Sequence, residues 1–341
     1  MDTANRIAML GVGYCVPDTI RTNDDPVFDW LNAHRPPNTD LFTGLKQRRV
    51  LTDPEEVIDI MVSAANLALS DAQKMPGDID LLIGSASVGQ YSAPNGLAAV
   101  HAALKLSSKC RIIALNTEYT NFHDGMKLSH DLLRVGTATN ALVLCGCNWT
   151  HHVDYHESVA LAASDGAGAA IVGWTANETK FHLVDWENET NSEWFGALRM
   201  AQRPLNPAMN GPAADGSADT RAFTLPLMKL DDERGGNAVK QFGVPIPGVV
   251  VNRLLARNKL QARDITLIAH QTSKFVYDAW NQAIQPGQYI STLEELGDMV
   301  SASVPVNLAR CFADIQRDQL VLLGIGMEMR ATALYYTRNK Q

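Results

Sequence analysis

The chain has 341 residues, 46 % of them apolar, 19 % charged and 7 % aromatic, which allows a sizeable core and excludes disordered or fibrous structure. Lys and Arg number 29 against 37 Asp and Glu, a net charge of −8, which argues against a nucleic-acid or anionic-membrane surface. The length predicts two core units or one large duplicated domain.

Short apolar runs alternate with longer segments of helical period, the mark of an α/β fold with buried strands. Ile7–Tyr14 opens the chain. The surrounding run, Ile7–Val16, follows Arg6, but Asp2 precedes it, Pro17-Asp18 closes it and no small-x-small cleavage site follows, so it reads as a buried strand and not as a signal peptide. Further strands are expected at Leu81–Ala86, Ile112–Leu115, Ala141–Cys147 and Ala167–Trp174. Between them lie expected helices Pro54–Gln73, capped by Asp53, then Asn95–Leu106 and Phe122–Val135. The alternation repeats after about residue 180, with strands Phe181–Trp186, Ile265–His270, Leu320–Leu323 and Arg330–Tyr336 and helices Ala238–Arg257, Ser273–Ile284 and Ser301–Ile315. Two similar halves, 1–178 and 179–341, are predicted. An excursion over 187–231 is rich in Asn, Pro, Gly and Ala and carries Trp194 and Phe195, aromatics expected to be buried.

No apolar run is long enough to span a bilayer. Five cysteines at irregular spacing do not suggest a disulfide framework, so a reducing cytoplasm is expected. Cys145 and Cys147 face one side of a strand with no second pair at zinc spacing, which favours core packing. His151, His152, Asp154 and His156 are read as loop residues facing water, and no metal is expected. Gly11-Val-Gly13 lacks the third glycine of a dinucleotide loop. His270 ends an apolar strand, where ligands bind in α/β sheets, and Gln271-Thr272-Ser273 opens the next helix. Asp298 precedes a helix, where it suits a capping role. Gly324-Ile-Gly326 stands between two strands, where glycine lets backbone N–H groups face an anionic oxygen.

Taken together the motifs form one pattern. Leu10-Gly-Val-Gly13, Thr43-Gly-Leu-Lys-Gln-Arg48-Arg49, Asp78-Ile-Asp80-Leu-Leu-Ile, Asp165-Gly-Ala-Gly-Ala, His270-Gln and Gly297-Asp-Met-Val-Ser-Ala-Ser-Val-Pro305 occur in order along nearly the whole chain. In this the chain resembles the ketoacyl-ACP synthase III family of the thiolase superfamily. The resemblance implies two duplicated βαβαβαββ halves stacked as α-β-α-β-α layers, a homodimer, and an acyl donor carried on phosphopantetheine or coenzyme A with no other cofactor. It also implies a catalytic cysteine where Asn116-Thr-Glu-Tyr119-Thr-Asn-Phe122 stands, so Tyr119 takes the nucleophile's place. Asp298 stands where most members have asparagine. The residues that grip the coenzyme A nucleotide are replaced by Asn38 and Phe42. Docking of an acyl carrier protein would fall to Lys46, Arg48, Arg49 or Lys274.

A phenol with a pKa near ~10 is a poor substitute for a thiolate, whereas Asp298 suits orienting His270 as a base. Thr117, Glu118, Thr120 and His123 add polar groups around position 119. The expected function is acyl transfer from a carrier-protein or coenzyme A thioester to an acceptor in specialised metabolism. His270 and Asp298 would act as base pair, Tyr119 would shape the pocket, Gly324 and Gly326 would serve the oxyanion, and Phe122 and Ser273 would contact substrate. The alternative is a non-catalytic subunit that pairs with a cysteine-containing ketosynthase homologue.

Overall fold

The computed structural model describes residues 5–89, 91, 93–204, 224–230 and 232–339. In the first half the strands are β1 (Arg6–Cys15), a short ribbon of β2 (Ile20–Thr22) and β3 (Gln47–Arg49), then β4 (Leu81–Ser87), β5 (Arg111–Ala114), β6 (Asn140–Asn148) and β7 (Asp165–Thr175). Its helices are α1 (Asp29–His34), α2 (Val57–Asp71), α3 (Leu97–Ala103) and α4 (Asn121–Arg134). The second half has β8 (His182–Thr190), a hairpin of β9 (Leu198–Pro204) and β10 (Thr224–Leu230), then β11 (Ile265–Ala269), β12 (Gln288–Ile290), β13 (Gln319–Gly326) and β14 (Arg330–Thr337). With these come α5 (Asp232–Ala238), α6 (Pro245–Arg257), α7 (Lys274–Ile284), α8 (Leu293–Leu296) and α9 (Ser303–Arg310).

The duplication is explicit in strand order. One half runs β5-β4-β6-β7-β1 and the other β12-β11-β13-β14-β8, the same order once each half is numbered from its own first strand. The two sheets touch where Ala8 pairs with His182 and the Met9 N–H donates to the Phe181 carbonyl at 2.8 Å. Because strand side chains alternate between faces, each sheet packs helices on both sides. Leu320 and Leu322 join Ile83, Val143, Phe122, Met126, Val304 and Leu308 in a central core, so α4 and α9 lie between the sheets. Val321 and Leu323 face α6 and α7 on one outer side, and Leu82, Leu142 and Leu144 face α2 and α3 on the other. These are the five expected layers.

Several boundaries differ from expectation for local reasons. Asp53 does not cap α2; Glu56 and Asp59 form a capping box there, so the helix begins at Val57. The helix expected over 238–257 is split into a π turn, Val239–Gly243, and α6, because Pro245 lacks the N–H that a continuous helix needs and is tolerated only in a first turn. Of the excursion, residues 205–223 and 231 lie outside the described residues, and so do Pro207 and Pro212. Phe195 is 77 % exposed and so is not buried as expected; it ends a one-turn 3₁₀ helix whose backbone is held by Asn191.

Gly11 and Gly13 serve helix packing, not a phosphate loop. A Cβ on Gly11 would lie 2.7 Å from the Ala68 carbonyl oxygen, so α2 sits against β1 only because both glycines are bare. Gly11→Ala is expected to destabilise the chain by about 1–3 kcal/mol, read from denaturant midpoints. Gly77→Ala, where an added Cβ meets nothing within 4 Å, is expected to be near neutral.

Candidate active site

Tyr119, His270 and Asp298 come from three separate elements and meet between the sheets. Tyr119 lies in a 3₁₀ turn, Glu118–Thr120, that leads into α4. His270 follows β11, and its backbone N–H donates to the Leu323 carbonyl of β13 at 2.8 Å. Asp298 follows Gly297, whose φ of 61° turns the chain ahead of α9. All three are buried. The Tyr119 and His270 rings are 4.6 Å apart at centroids and edge-on at 85°. His270 Nε2 lies 3.6 Å from Asp298 Oδ2, too long for a hydrogen bond but within reach of an ion pair once the imidazole carries a proton.

The carboxylate plays both roles read from its position. Asp298 Oδ1 accepts from the Val300 N–H at 2.8 Å and the Ser303 hydroxyl at 3.3 Å, which caps the approach to α9, while Oδ2 is left for His270. The Asp298 N–H donates to the Ala162 carbonyl at 2.7 Å, tying this loop to the first half. Gln271 clamps the residue after the histidine. Its Nε2 donates to the Gly297 carbonyl at 2.7 Å, and its Oε1 accepts from Asn307 Nδ2 at 2.8 Å and the Thr292 N–H at 3.1 Å.

The Tyr119 hydroxyl does not face the histidine. It donates to Met228 Sδ at 3.9 Å, a thioether delivered by the β9–β10 hairpin and anchored by its own N–H on the His152 carbonyl at 2.8 Å. Burial, reinforced by the Asp298 charge, holds the phenol well above its usual pKa, so phenolate is suppressed at neutral pH. Nor is any thiol poised to react. The five cysteines are free, and burial raises every one of them, Cys110 to about 11. Cys147 shares the apolar cluster around Tyr119, but its thiol donates weakly to the Ser164 carbonyl at 3.7 Å.

An apolar cavity of about 90 Å³ opens on this centre, with Tyr119, His270, Thr272, Gly326 and Met329 around its reactive end. Gly326 is therefore on the wall. Gly324 is not; a Cβ there would lie 2.6 Å from His123 Cε1, so this glycine makes room for a buried imidazole. Burial lowers that imidazole to about 3, so His123 stays neutral. Phe122 belongs to the central core and Ser273 caps α7 by accepting from the Val276 N–H at 3.3 Å; neither reaches the cavity wall. Trp280, Val276 and Met228 are site residues that the chain's chemistry did not announce, since each is apolar and takes its place through tertiary packing. The one legible signal was the four-residue spacing of Val276 and Trp280, which puts them on one face of α7.

The loop histidines and the basic residues named for carrier docking lie elsewhere. His151 Nε2 pairs with the Leu51 carbonyl at 3.0 Å, His156 pairs with Asp154 at 2.9 Å, and no group of three metal-binding side chains occurs among the described residues. Of the basic residues, Arg48 is fully buried against Phe28 and Phe42, Lys46 pairs with Glu294, Lys274 pairs with Asp278, and Arg49 donates to the Pro17 carbonyl. Among the described residues no helix is long and apolar enough to cross a membrane.

Two equivalent sheets around two buried helices, with a histidine after β11 and an acid ahead of α9, define a thiolase-like α/β fold with a candidate acyl-transfer centre. Residues 114–195 match the family 3-oxoacyl-[acyl-carrier-protein] synthase III, and residues 255–336 match its C-terminal counterpart. A beta-ketoacyl-[acyl-carrier-protein] synthase III of Natranaerobius thermophilus is 26 % identical over 93 % of this chain and 95 % of its own length. Among solved structures, 3-oxoacyl-(acyl carrier protein) synthase III, FabH, of Pseudomonas aeruginosa PAO1 superposes with a TM-score of 0.78 at 24 % identity, covering 98 % of this chain and 99 % of that one. The priming beta-ketosynthase of the R1128 polyketide pathway gives 0.81 at 20 % identity, covering 98 % and 97 %. Along both halves the chain is thus similar to 3-oxoacyl-[acyl-carrier-protein] synthase III proteins, and its fold is that of the ketosynthase III structures.

The thiols supply a direct check of the electrostatics. A raised pKa lowers the thiolate fraction, so alkylation of the native protein by iodoacetamide at pH 7 is expected to run more slowly than in the unfolded chain and to quicken steadily with rising pH. A cysteine that reacts in the native state as fast as a free thiol would contradict the burial argument.

Proposed function

We propose that this protein transfers an acyl group from a thioester directly to an acceptor hydroxyl or amine, without a covalent acyl-enzyme. One observation carries the reading: the buried His270 beside the Asp298 carboxylate, next to a protonated tyrosine where a thiol would be needed for relay. His270 takes the proton of the acceptor as its oxygen or nitrogen attacks the thioester carbon. The carbon–sulfur bond then breaks, and the imidazolium returns its proton to the departing thiolate. Asp298 offsets the charge on the imidazolium, and main-chain groups about Gly326 and the head of α4 face the developing oxyanion. The donor is carried on phosphopantetheine or coenzyme A. Lys46 and Lys274 pair with Glu294 and Asp278 yet keep much of their side chains exposed, so they remain able to face an acidic carrier protein. The assignment to specialised metabolism and to the cytoplasm belongs to this reading.

A second reading, a structural subunit beside a cysteine-bearing homologue, draws on the Met228 cover over the Tyr119 hydroxyl and on β5. That strand ends its sheet, and Ile112 on it is 39 % exposed, an apolar edge suited to pairing with another chain. In the catalytic reading the same edge pairs two copies of this chain. Ile112→Lys is expected to turn a dimer into a monomer in sedimentation velocity, and a wild type that already sediments as a monomer would remove the pairing.

For the chemistry, His270→Ala is expected to abolish transfer from acyl thioesters to small alcohols and amines, and Asp298→Asn to slow it by up to ~10⁴-fold, because asparagine cannot balance the imidazolium. Unchanged turnover in His270→Ala would move the base elsewhere. An inert wild type that raises the activity of a cysteine-bearing homologue on mixing would establish the subunit reading.

A further inference from the structure

The cavity lining holds two groupings. Tyr119 and His270, in ring contact, form one; Gly243 and Trp280, hydrogen-bonded to each other, form the other, and an apolar stretch of Leu198, Val239, Val276 and Ile325 completes the wall with them. Nothing along that stretch is a free hydrogen-bonding side chain. The hydroxyl of Thr272 stands two residues after His270 in the chain, and the Trp280 Nε1–H is already given to the Gly243 carbonyl at 3.0 Å. A polar or charged group pushed this far would lose its water without a partner, so the lower cavity suits an alkyl chain. Its volume of about 90 Å³ is below the ~150 Å³ apolar cavity that holds a benzene ring, which limits that chain to a few carbons.

We propose that Trp280 is the specificity-determining residue of this site, the floor that limits the length of the apolar chain attached to the reacting carbonyl. This rests on the acyl-transfer reading above. Three features make the indole a fixed floor and not a passive wall. It lies one turn beyond Val276 on the same face of α7, about 6 Å further from the histidine along the axis. It is 1 % exposed and packed with Ile284 and Val250 into the outer core. Its hydrogen bond ties it to the π turn Val239–Gly243, which forms the opposite wall. Gly243 itself leaves space. A Cβ there would find its nearest neighbour, Ile325 Cδ1, at 3.7 Å, and the backbone carries no left-handed φ. The floor can thus be lowered from one side and the cavity narrowed from the other.

The chain in question lies either on the acyl side or on the thiol side of the carbonyl, and two ligand series separate these sources. In the first, N-acetylcysteamine thioesters run from acetyl to octanoyl; in the second, acetyl thioesters run from ethanethiol to octanethiol. Binding is read as the shift of the thermal midpoint of the intact protein. In the wild type, each added methylene that fits should strengthen binding about fourfold, until a cut-off is reached at short length in one series. Trp280→Ala should move that cut-off to longer chains, and Gly243→Ala should move it to shorter ones. Trp280→Leu provides the same direction with a smaller void if the alanine variant fails to fold. The series in which the cut-off moves identifies the side of the carbonyl. A cut-off that stays put in both series, in folded variants, overturns the assignment of Trp280. Linear alcohols of the same lengths separate the two levels of the argument. If their cut-off moves with Trp280 while no thioester stabilises any variant, Trp280 stands as the floor and the thioester reading falls.

Discussion

Everything at this site depends on keeping an imidazole and a carboxylate together out of water. Neither His270 nor Asp298 is exposed, and a buried pair of this kind is worth having only if its geometry is held by other bonds, because removing either partner strands the other. The fold supplies those bonds from both halves. The His270 backbone hangs from Leu323 of β13, Gln271 is saturated by Gly297, Thr292 and Asn307, and the Asp298 loop is bonded to Ala162 of the first half. The duplication thus has a chemical consequence: two similar sheets, with α4 and α9 between them, bring Tyr119 of the first half to the same buried point as His270 and Asp298 of the second.

The tyrosine at position 119 limits what that point can do. At the head of α4 a thiol would be favoured as thiolate by the helix end and the neighbouring histidine. A phenol in the same place is held protonated by burial and by Asp298, and its hydroxyl is turned to the Met228 thioether. In the proposed reading no covalent relay runs through this position, and the histidine and its acid carry the chemistry. Direct attack by the acceptor is the chemistry that uses what is left, since it asks of the protein a base, a charge to balance it and a dry pocket.

Legibility in the sequence followed how local each feature was. Buried strands such as Leu81–Ser87 and Asn140–Asn148 announce themselves as continuous apolar runs, and the order of motifs carried the thiolase-like architecture and the meeting of Tyr119, His270 and Asp298. Features that depend on a partner elsewhere were not legible. Gly324 and Gly326 look alike in sequence, yet one faces the cavity and the other makes room for His123, which the chain reaches from α4, about 200 positions away. Ser273 sits one residue from cavity-lining Thr272 and Phe122 three from Tyr119, but they serve a helix cap and the core. The π turn at Val239–Gly243 and the covering role of Met228 arise only once α6, α7 and the β9–β10 hairpin are packed.

The central claim, that acyl transfer here bypasses a covalent intermediate, is tested most directly by intact-mass measurement after incubation with acyl thioesters in the absence of acceptor. The account predicts that the wild type stays unmodified, while Tyr119→Cys, with a thiol at the head of α4 beside His270, gains the mass of one acyl group. A stable acyl adduct on wild-type Tyr119, or on any of its five cysteines, would contradict it.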